Sequence, residues 1–294
     1  MFDLSLYMEA QRAAVEAEIA SRMPAETVTP EVLHRAMRYS MLAGGKRLRP
    51  ILCLAAAEAA GGAPQRAMLP AIAIEALHTY TLIHDDLPCM DNDALRRGRP
   101  TCHVVFGEAN ALLAGDALLT LAFEWLGACP APAPHPANQL VVELAAAAGS
   151  RGVIGGQVED LAAEGAPPSA ERLDYIHAHK PAALLRAAVR IGAIAGGAAA
   201  PILAALTRYG EHVGLAFQIA DDILNATSSP ESLGKPTGTD AARKKLTYVA
   251  LHGLDAARRR AADLTREAVS ALTPAGERAA ALAALARFTI ERTR

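Results

Sequence analysis

Apolar positions recur at helical spacing along almost the whole chain, with alanine filling much of the buried-looking face, and strict residue-by-residue alternation of the kind a half-buried strand shows is missing. The pattern predicts helices over 3–22, from 30 to about Leu42, and over 51–60, 67–86, 107–128, 138–164, 169–197 and 203–226. Punctuation supports these limits. Thr29-Pro30-Glu31 opens a helix with threonine as N-cap and proline in the first helical position, and Gly44-Gly45 closes it. His179-Lys180-Pro181 kinks the seventh segment, because proline removes a backbone donor and clashes with the preceding turn. Gly155-Gly156 inside a helical stretch predicts close helix contact or room left for a ligand. The proline-rich loop 130–136 is too short for an interdomain linker, so the expectation is an all-α fold in a single domain over residues 1–294.

Composition narrows the picture. The chain is 52% apolar but only 4% aromatic, and its net charge is −2. That balance argues against a nucleic-acid footprint. Cys53, Cys89, Cys102 and Cys129 show neither C-x-x-C pairing nor zinc spacing, which predicts reduced thiols in a cytoplasmic protein. The N-terminus has no basic region followed by an apolar core, and no apolar run approaching 18–20 residues free of polar breaks is expected to span a membrane.

Candidate chemistry concentrates in residues 84–101, which hold four aspartates and three arginines. Carboxylates this dense repel one another unless a divalent cation sits between them, and the neighbouring arginines are natural partners for phosphate oxygens held by the same ion. On a straight helix Asp85 and Asp91 stand about 120° apart, but Pro88 forces a bend or stop that lets Asp91 fold back toward Asp85. Upstream, Gly44-Gly45-Lys46-Arg47-Leu48-Arg49-Pro50 sets three cations at the mouth of the next helix, an expected anion clamp. His78 lies two turns before Asp85. A second acidic cluster, Asp221-Asp222, follows Phe217-Gln218, and Asp221 shares a helix face with Asn225. Gly234-Lys235-Pro236 and Lys244-Lys245 come after it.

Two aspartate clusters on separate helices, each trailed by basic residues, resemble the trans-isoprenyl diphosphate synthases of the polyprenyl synthetase family. The likeness runs over essentially the whole chain: Gly45 to Pro50, Asp85-Asp86 through Asp91, Leu95-Arg96-Arg97-Gly98, Gly156-Gln157, Lys180, Phe217-Gln218 with Asp221-Asp222, and Gly234-Lys235. The resemblance implies a helical bundle around a deep cavity, assembled as a homodimer, in which Mg²⁺ ions, three to a site, bridge the two acidic motifs to an allylic diphosphate. Asp85, Asp91 and Asp221 would be metal ligands, with Asp86 and Asp222 supporting. Lys46, Arg49, His78 and Arg97 would hold isopentenyl diphosphate, and Arg96, Lys180, Gln218, Lys235 and Lys245 the allylic diphosphate. Of these, Asp85, Asp91, Arg96, Lys180, Asp221 and Lys235 carry the catalytic expectation.

The implied reaction joins isopentenyl diphosphate to dimethylallyl or geranyl diphosphate by ionisation, condensation and elimination. Chain length falls on Tyr80 and Thr81. A bulky aromatic at position 80 resembles the floor of the farnesyl synthases, which implies a C15 product, with the C20 geranylgeranyl product as the alternative. Three positions depart from the family pattern: Asn225 where a third aspartate is usual, Pro181 where threonine is common, and Asn92, which resembles plant and cyanobacterial geranylgeranyl synthases. The first two leave open a weakly active regulatory subunit. Among rivals, a di-iron bundle would use Glu31/His34 and Glu75/His78, and a one-diphosphate terpene cyclase would leave Lys46, Arg49, His78 and Arg97 without work.

Overall fold

A computed structural model of the protein describes residues 2–227 and 245–291. Its helices are α1 (Leu4–Arg22), α2 (Glu31–Met41), α3 (Leu48–Ala59), α4 (Gln65–Asp85), α5 (Cys102–Phe106), α6 (Glu108–Gly127), α7 (Gln139–Ala148), α8 (Val153–Ala163), α9 (Ala170–His179), α10 (Ala182–Ala195), α11 (Ala200–Thr227), α12 (Tyr248–His252), α13 (Leu254–Ala271) and α14 (Ala280–Glu291), with a 3-10 segment at Thr273–Ala279. The all-α expectation holds. A short hairpin, β1 (Leu95–Arg96) with β2 (Arg99–Pro100), is the one sheet among the described residues.

Helix α4 runs through the middle of the bundle and packs on α3, α6 and α10, while α10 also meets α7 and α11, and α11 in turn carries α13. Residues 70–77 of α4 are all buried, including the four consecutive residues Ala71, Ile72, Ala73 and Ile74. A helix apolar all round is an interior helix, and this one ends in half-buried Asp85, followed by buried Asp86. The same composition lets α3 bury Leu48 and every residue from Pro50 to Ala57.

Several boundaries differ from the expected ones. Pro30 is the N-cap of α2, not its first residue, and Thr29 makes no capping bond. Helix α3 begins three residues early, at Leu48, because Arg47 takes a left-handed conformation (φ 50°) that turns the chain into it. The segment expected as one helix over 138–164 is two, α7 and α8, broken at Gly149–Gly152. A Cβ on Gly152 would lie 2.0 Å from the Ala147 carbonyl oxygen, so the sharp turn there needs glycine. Helix α6 is, by length and composition alone, long and apolar enough to cross a membrane, but Glu108, Asp116 and Glu124 interrupt it, in keeping with the expectation of no apolar run free of polar breaks. One of its faces is packed on α4, burying Ala111, Ala114, Leu118 and Ala122, while Leu112 and Leu113 on another face are exposed. All four cysteines are free thiols, with Cys53 and Cys102 buried.

Candidate active site

The site is built where α4 ends. Its last hydrogen-bonded turn gives way at Pro88 to a tight return, in which the Asp91 amide donates to the Asp85 carbonyl at 2.8 Å and the Asn92 amide to the Leu87 carbonyl at 3.0 Å. Asn92, left-handed at φ 53°, completes the reversal. The proline thus does what its position predicts, and Asp91 comes back beside Asp85. Burial, more than any other influence, pushes the Asp85 carboxyl above its ordinary range, and repulsion from Asp91 adds to it, while Lys180 pulls the other way.

Lys180 arrives from the junction of α9 and α10. Helix α8 comes so close that a Cβ on Gly156 would sit 2.4 Å from the Lys180 amide nitrogen, which is the close helix contact that the paired glycines imply. One turn later Asp160 takes the Lys180 ammonium at 2.6 Å. Burial lowers that ammonium's pKa, but Asp160, Asp85 and Asp91 together outweigh it and hold it above the usual lysine range. Lys245 reaches the same place from the other end of the chain, its Nζ 3.6 Å from Asp91 Oδ1.

The second aspartate of each pair does something else. Asp86 is buried, and Arg96 closes on it with Nε at 2.8 Å from both carboxylate oxygens and Nη2 at 2.6 Å from Oδ1. Asp222, also buried, accepts from Gln218 Nε2 at 2.8 Å and from the Tyr248 amide at 2.7 Å, with His177 Nε2 at 3.4 Å. These carboxylates are struts tying the hairpin and α12 to the bundle. Asp221 is half-buried on α11, and Asn225 is exposed one turn on. Lys235 lies outside the described residues.

A second set of cations gathers around His78. Burial, then Arg49, Arg97, Arg96 and Arg47, drive the His78 pKa far below the ordinary histidine value, so at neutral pH the ring is uncharged, a hydrogen-bond donor amid guanidinium groups. Arg97, at the tip of the hairpin, donates to the Gly44 carbonyl. Lys46 lies 5.7 Å over the Phe288 ring of α14. The anticipated clamp is, however, two cations and not three. Arg47 is turned inward, donating to Glu75 Oε1 at 2.8 Å and to the Met41 carbonyl at 2.7 Å, with Glu16 at 3.7 Å. Glu75 is spent on that pair, so the di-iron arrangement with His78 does not form.

Tyr80 is buried, its ring edge-on to His84 at 5.5 Å, and the Thr81 hydroxyl donates to the His78 carbonyl at 2.8 Å. His84 in turn lies against Gly115 of α6, with Nε2 3.0 Å from the Leu112 carbonyl oxygen. His177 and Asp160, which hold Asp222 and Lys180, carry no motif signal. Their partners lie 45 and 20 residues away, and only the fold joins them.

Among the described residues no three His, Cys, Asp or Glu side chains converge with metal-ligand spacing. Asp85 and Asp91 are nonetheless two mutually repelling carboxylates in a partly buried place. Sites of one or two carboxylates completed by phosphate oxygens are how Mg²⁺ is ordinarily bound, so the donor set fits that ion. The all-α fold is that of the isoprenoid synthases. The profile of the polyprenyl synthetase family matches residues 30–285, and the chain belongs to that family.

Named relatives agree. Geranylgeranyl pyrophosphate synthase 12, chloroplastic, of Arabidopsis thaliana is 48% identical over 276 residues, 92% of this chain and 76% of the plant protein. The apo structure of an FPP/GFPP synthase from Zymomonas mobilis superposes with a TM-score of 0.85 at 37% identity, covering 98% of each chain. A geranyltransferase from Helicobacter pylori, solved with magnesium and isoprenyl diphosphate, gives 0.83 at 34% identity over 98% of this chain and 96% of that one.

Proposed function

We propose that this short-chain prenyltransferase condenses isopentenyl diphosphate with successive allylic diphosphates and that its main product is geranylgeranyl diphosphate, C20. The observation that carries the condensation is the presence of two distinct sets of cations, Arg49 and Arg97 around His78 and Lys180 with Lys245 beside Asp85 and Asp91. A cyclase that ionises one diphosphate has use for only the second.

In this reading Lys46, Arg49, His78 and Arg97 receive isopentenyl diphosphate, and neutral His78 donates a hydrogen bond to an oxygen without adding a fourth positive charge. Lys180 and Lys245, with Lys235, take the allylic diphosphate. Arg96 faces it with Nη1, since Nε and Nη2 are engaged by Asp86, and Gln218 acts through Asp222. Asp85, Asp91 and Asp221 would hold Mg²⁺, which when bound would neutralise charge on the diphosphate as a Lewis acid. Lys180, kept charged by three carboxylates, stabilises the same leaving group as the allylic C1–O bond breaks. The isopentenyl double bond attacks the carbocation, and the proton then lost goes to the released diphosphate, so no side-chain base is required. The alanine-rich interior excludes the water that would quench the cation.

Product length rests on two supports. Relatives 48% and 50% identical to this chain are named geranylgeranyl pyrophosphate synthases. The C15 expectation took Tyr80 as a floor beneath Asp85, yet five residues of helix also rotate a side chain by about 140°, and Tyr80 packs toward His84 on the α6 side. Its burial and its edge contact mark a wall residue. Purified protein with Mg²⁺, isopentenyl diphosphate and each allylic substrate, followed by chromatography of dephosphorylated products, is expected to give mainly C20. A C15 majority overturns the length, and no product without an added active relative favours the regulatory subunit. Tyr80→Ala is expected to leave C20 dominant; a shift to longer chains would make Tyr80 the floor after all.

Val104 and Val105 of α5 and Leu112 and Leu113 of α6 are exposed apolar residues on two helices that pack together, and we assign this region to contact with a second copy of the chain. Sedimentation equilibrium is expected to return twice the 30.7 kDa chain mass; a monomer at micromolar concentration removes that assignment.

A further inference from the structure

The hairpin that carries Arg96 and Arg97 has two residues in each strand and turns through Arg97 (φ 54°) and Gly98 (φ 74°), both left-handed. Two positive φ angles make the turn that suits the twist of paired strands, but a two-stranded hairpin this short does not hold its shape alone. Its anchors are therefore what place its arginines. Arg96 has its own in buried Asp86. Exposed Arg97 has the Gly44 carbonyl, and its guanidinium lies so close over Gly45 that a Cβ there would be 2.5 Å from Nη1.

The second strand is fastened differently. The Tyr39 hydroxyl, on α2, donates to the Pro100 carbonyl at 2.7 Å. The Arg99 guanidinium sits 4.7 Å over the Tyr39 ring, within range of a cation–π contact, and the ring's far side meets Phe106 edge-on at 5.5 Å. A small pocket of about 50 Å³ is lined by Arg96, Arg97 and Arg99 of the hairpin and by Tyr39, Thr79 and Ile83 of the helices.

We propose that Tyr39 is a positioning residue that sets Arg97 for the diphosphate it shares with Lys46, Arg49 and His78, acting through Arg99, Pro100 and the two-residue turn. The inference rests on the condensation reading above. Arg96 keeps its grip on Asp86 whatever happens at Tyr39, so the effect is selective: the isopentenyl side loosens and the allylic side does not. A residue needed merely for folding would disturb both.

The test compares Tyr39→Leu, which removes hydroxyl and ring, with Tyr39→Phe, which keeps the ring under Arg99. Steady-state KM for isopentenyl diphosphate and for geranyl diphosphate is measured together with the calorimetric Kd of isopentenyl diphosphate alone. Tyr39→Leu is expected to raise the isopentenyl KM and Kd about tenfold, or about 1.4 kcal/mol, with the geranyl KM within about twofold and Tyr39→Phe intermediate. Equal rises in both KM values, or a loss of kcat alone, overturn the proposal, as does an unchanged Kd in both variants. Should Tyr39→Leu not fold, the Tyr39→Phe split decides. Wild-type protein that binds isopentenyl diphosphate but forms no product in any assay indicts the condensation reading, while the Kd comparison still judges Tyr39.

Discussion

Asp85→Asn is expected to lower turnover on the order of a thousandfold, about 4 kcal/mol of barrier, while raising the thermal stability of the ligand-free protein. The two effects share one cause. Burial and Asp91 make the ionised Asp85 carboxylate unwelcome, so its folded pKa lies above the ordinary 3.8. The folded state then binds that proton more tightly than the unfolded chain does. Stability is accordingly lost as pH rises from about 3.8 through the shifted value, and at neutral pH the protein carries the full penalty. Asparagine removes the charge and the slope together. Unfolding midpoints across pH, set beside kinetics at saturating Mg²⁺, check both halves. Near-wild-type kcat would sink the metal assignment, and a lower midpoint would mean that the Lys180 attraction outweighs burial and repulsion. Such opposition between stability and activity is usual where a site is built from groups that repel until a ligand arrives.

Arg47→Met should instead damage the fold, by about 3–5 kcal/mol, because Glu75 would be left ionised and buried without its partner. Arg47 and Glu75 side chains are only 2% and 5% exposed, at 2.8 Å from each other. The double replacement Arg47→Met with Glu75→Leu is expected to recover most of that loss, since two apolar groups can fill the space without an orphaned charge. Denaturant titration of the three variants gives the cycle. A mild effect of Arg47→Met on stability, coupled with a large rise in the isopentenyl KM, would return Arg47 to the anion clamp.

Arg47 also shows where a sequence stops being informative. Lys46, Arg47 and Arg49 are indistinguishable as a run of cations, and the left-handed turn that sends Arg47 inward is a backbone event with no residue pattern of its own. Asp85 and Asp86 are likewise alike on paper. Their separation into a buried but ligandable carboxylate and a saturated strut depends on Arg96, which the return of the chain at Pro88 brings back across ten residues. The helices were legible because alanine, glycine and proline mark their faces and ends locally. The hairpin was not, since strands of two residues are shorter than any periodicity that defines one. The break between α7 and α8 went unread for a related reason: a glycine inside an apolar stretch reads as a tolerated helix residue, and only the Ala147 carbonyl lying over Gly152 makes it a turn.

The contact between Asp222 and the Tyr248 amide has an implication for how this region tolerates change. Its donor is a main-chain N–H, which every amino acid except proline supplies. Position 248 can therefore change side chain without losing this bond, three residues after Lys245, although the Tyr248 ring also packs on His177 and His252. Position 222 has no such latitude, because shortening or neutralising its carboxylate releases Gln218, His177 and α12 at once. A saturation library across the two positions should thus be strongly asymmetric, permissive at 248 with one forbidden residue and nearly closed at 222, although both ends belong to a single bond.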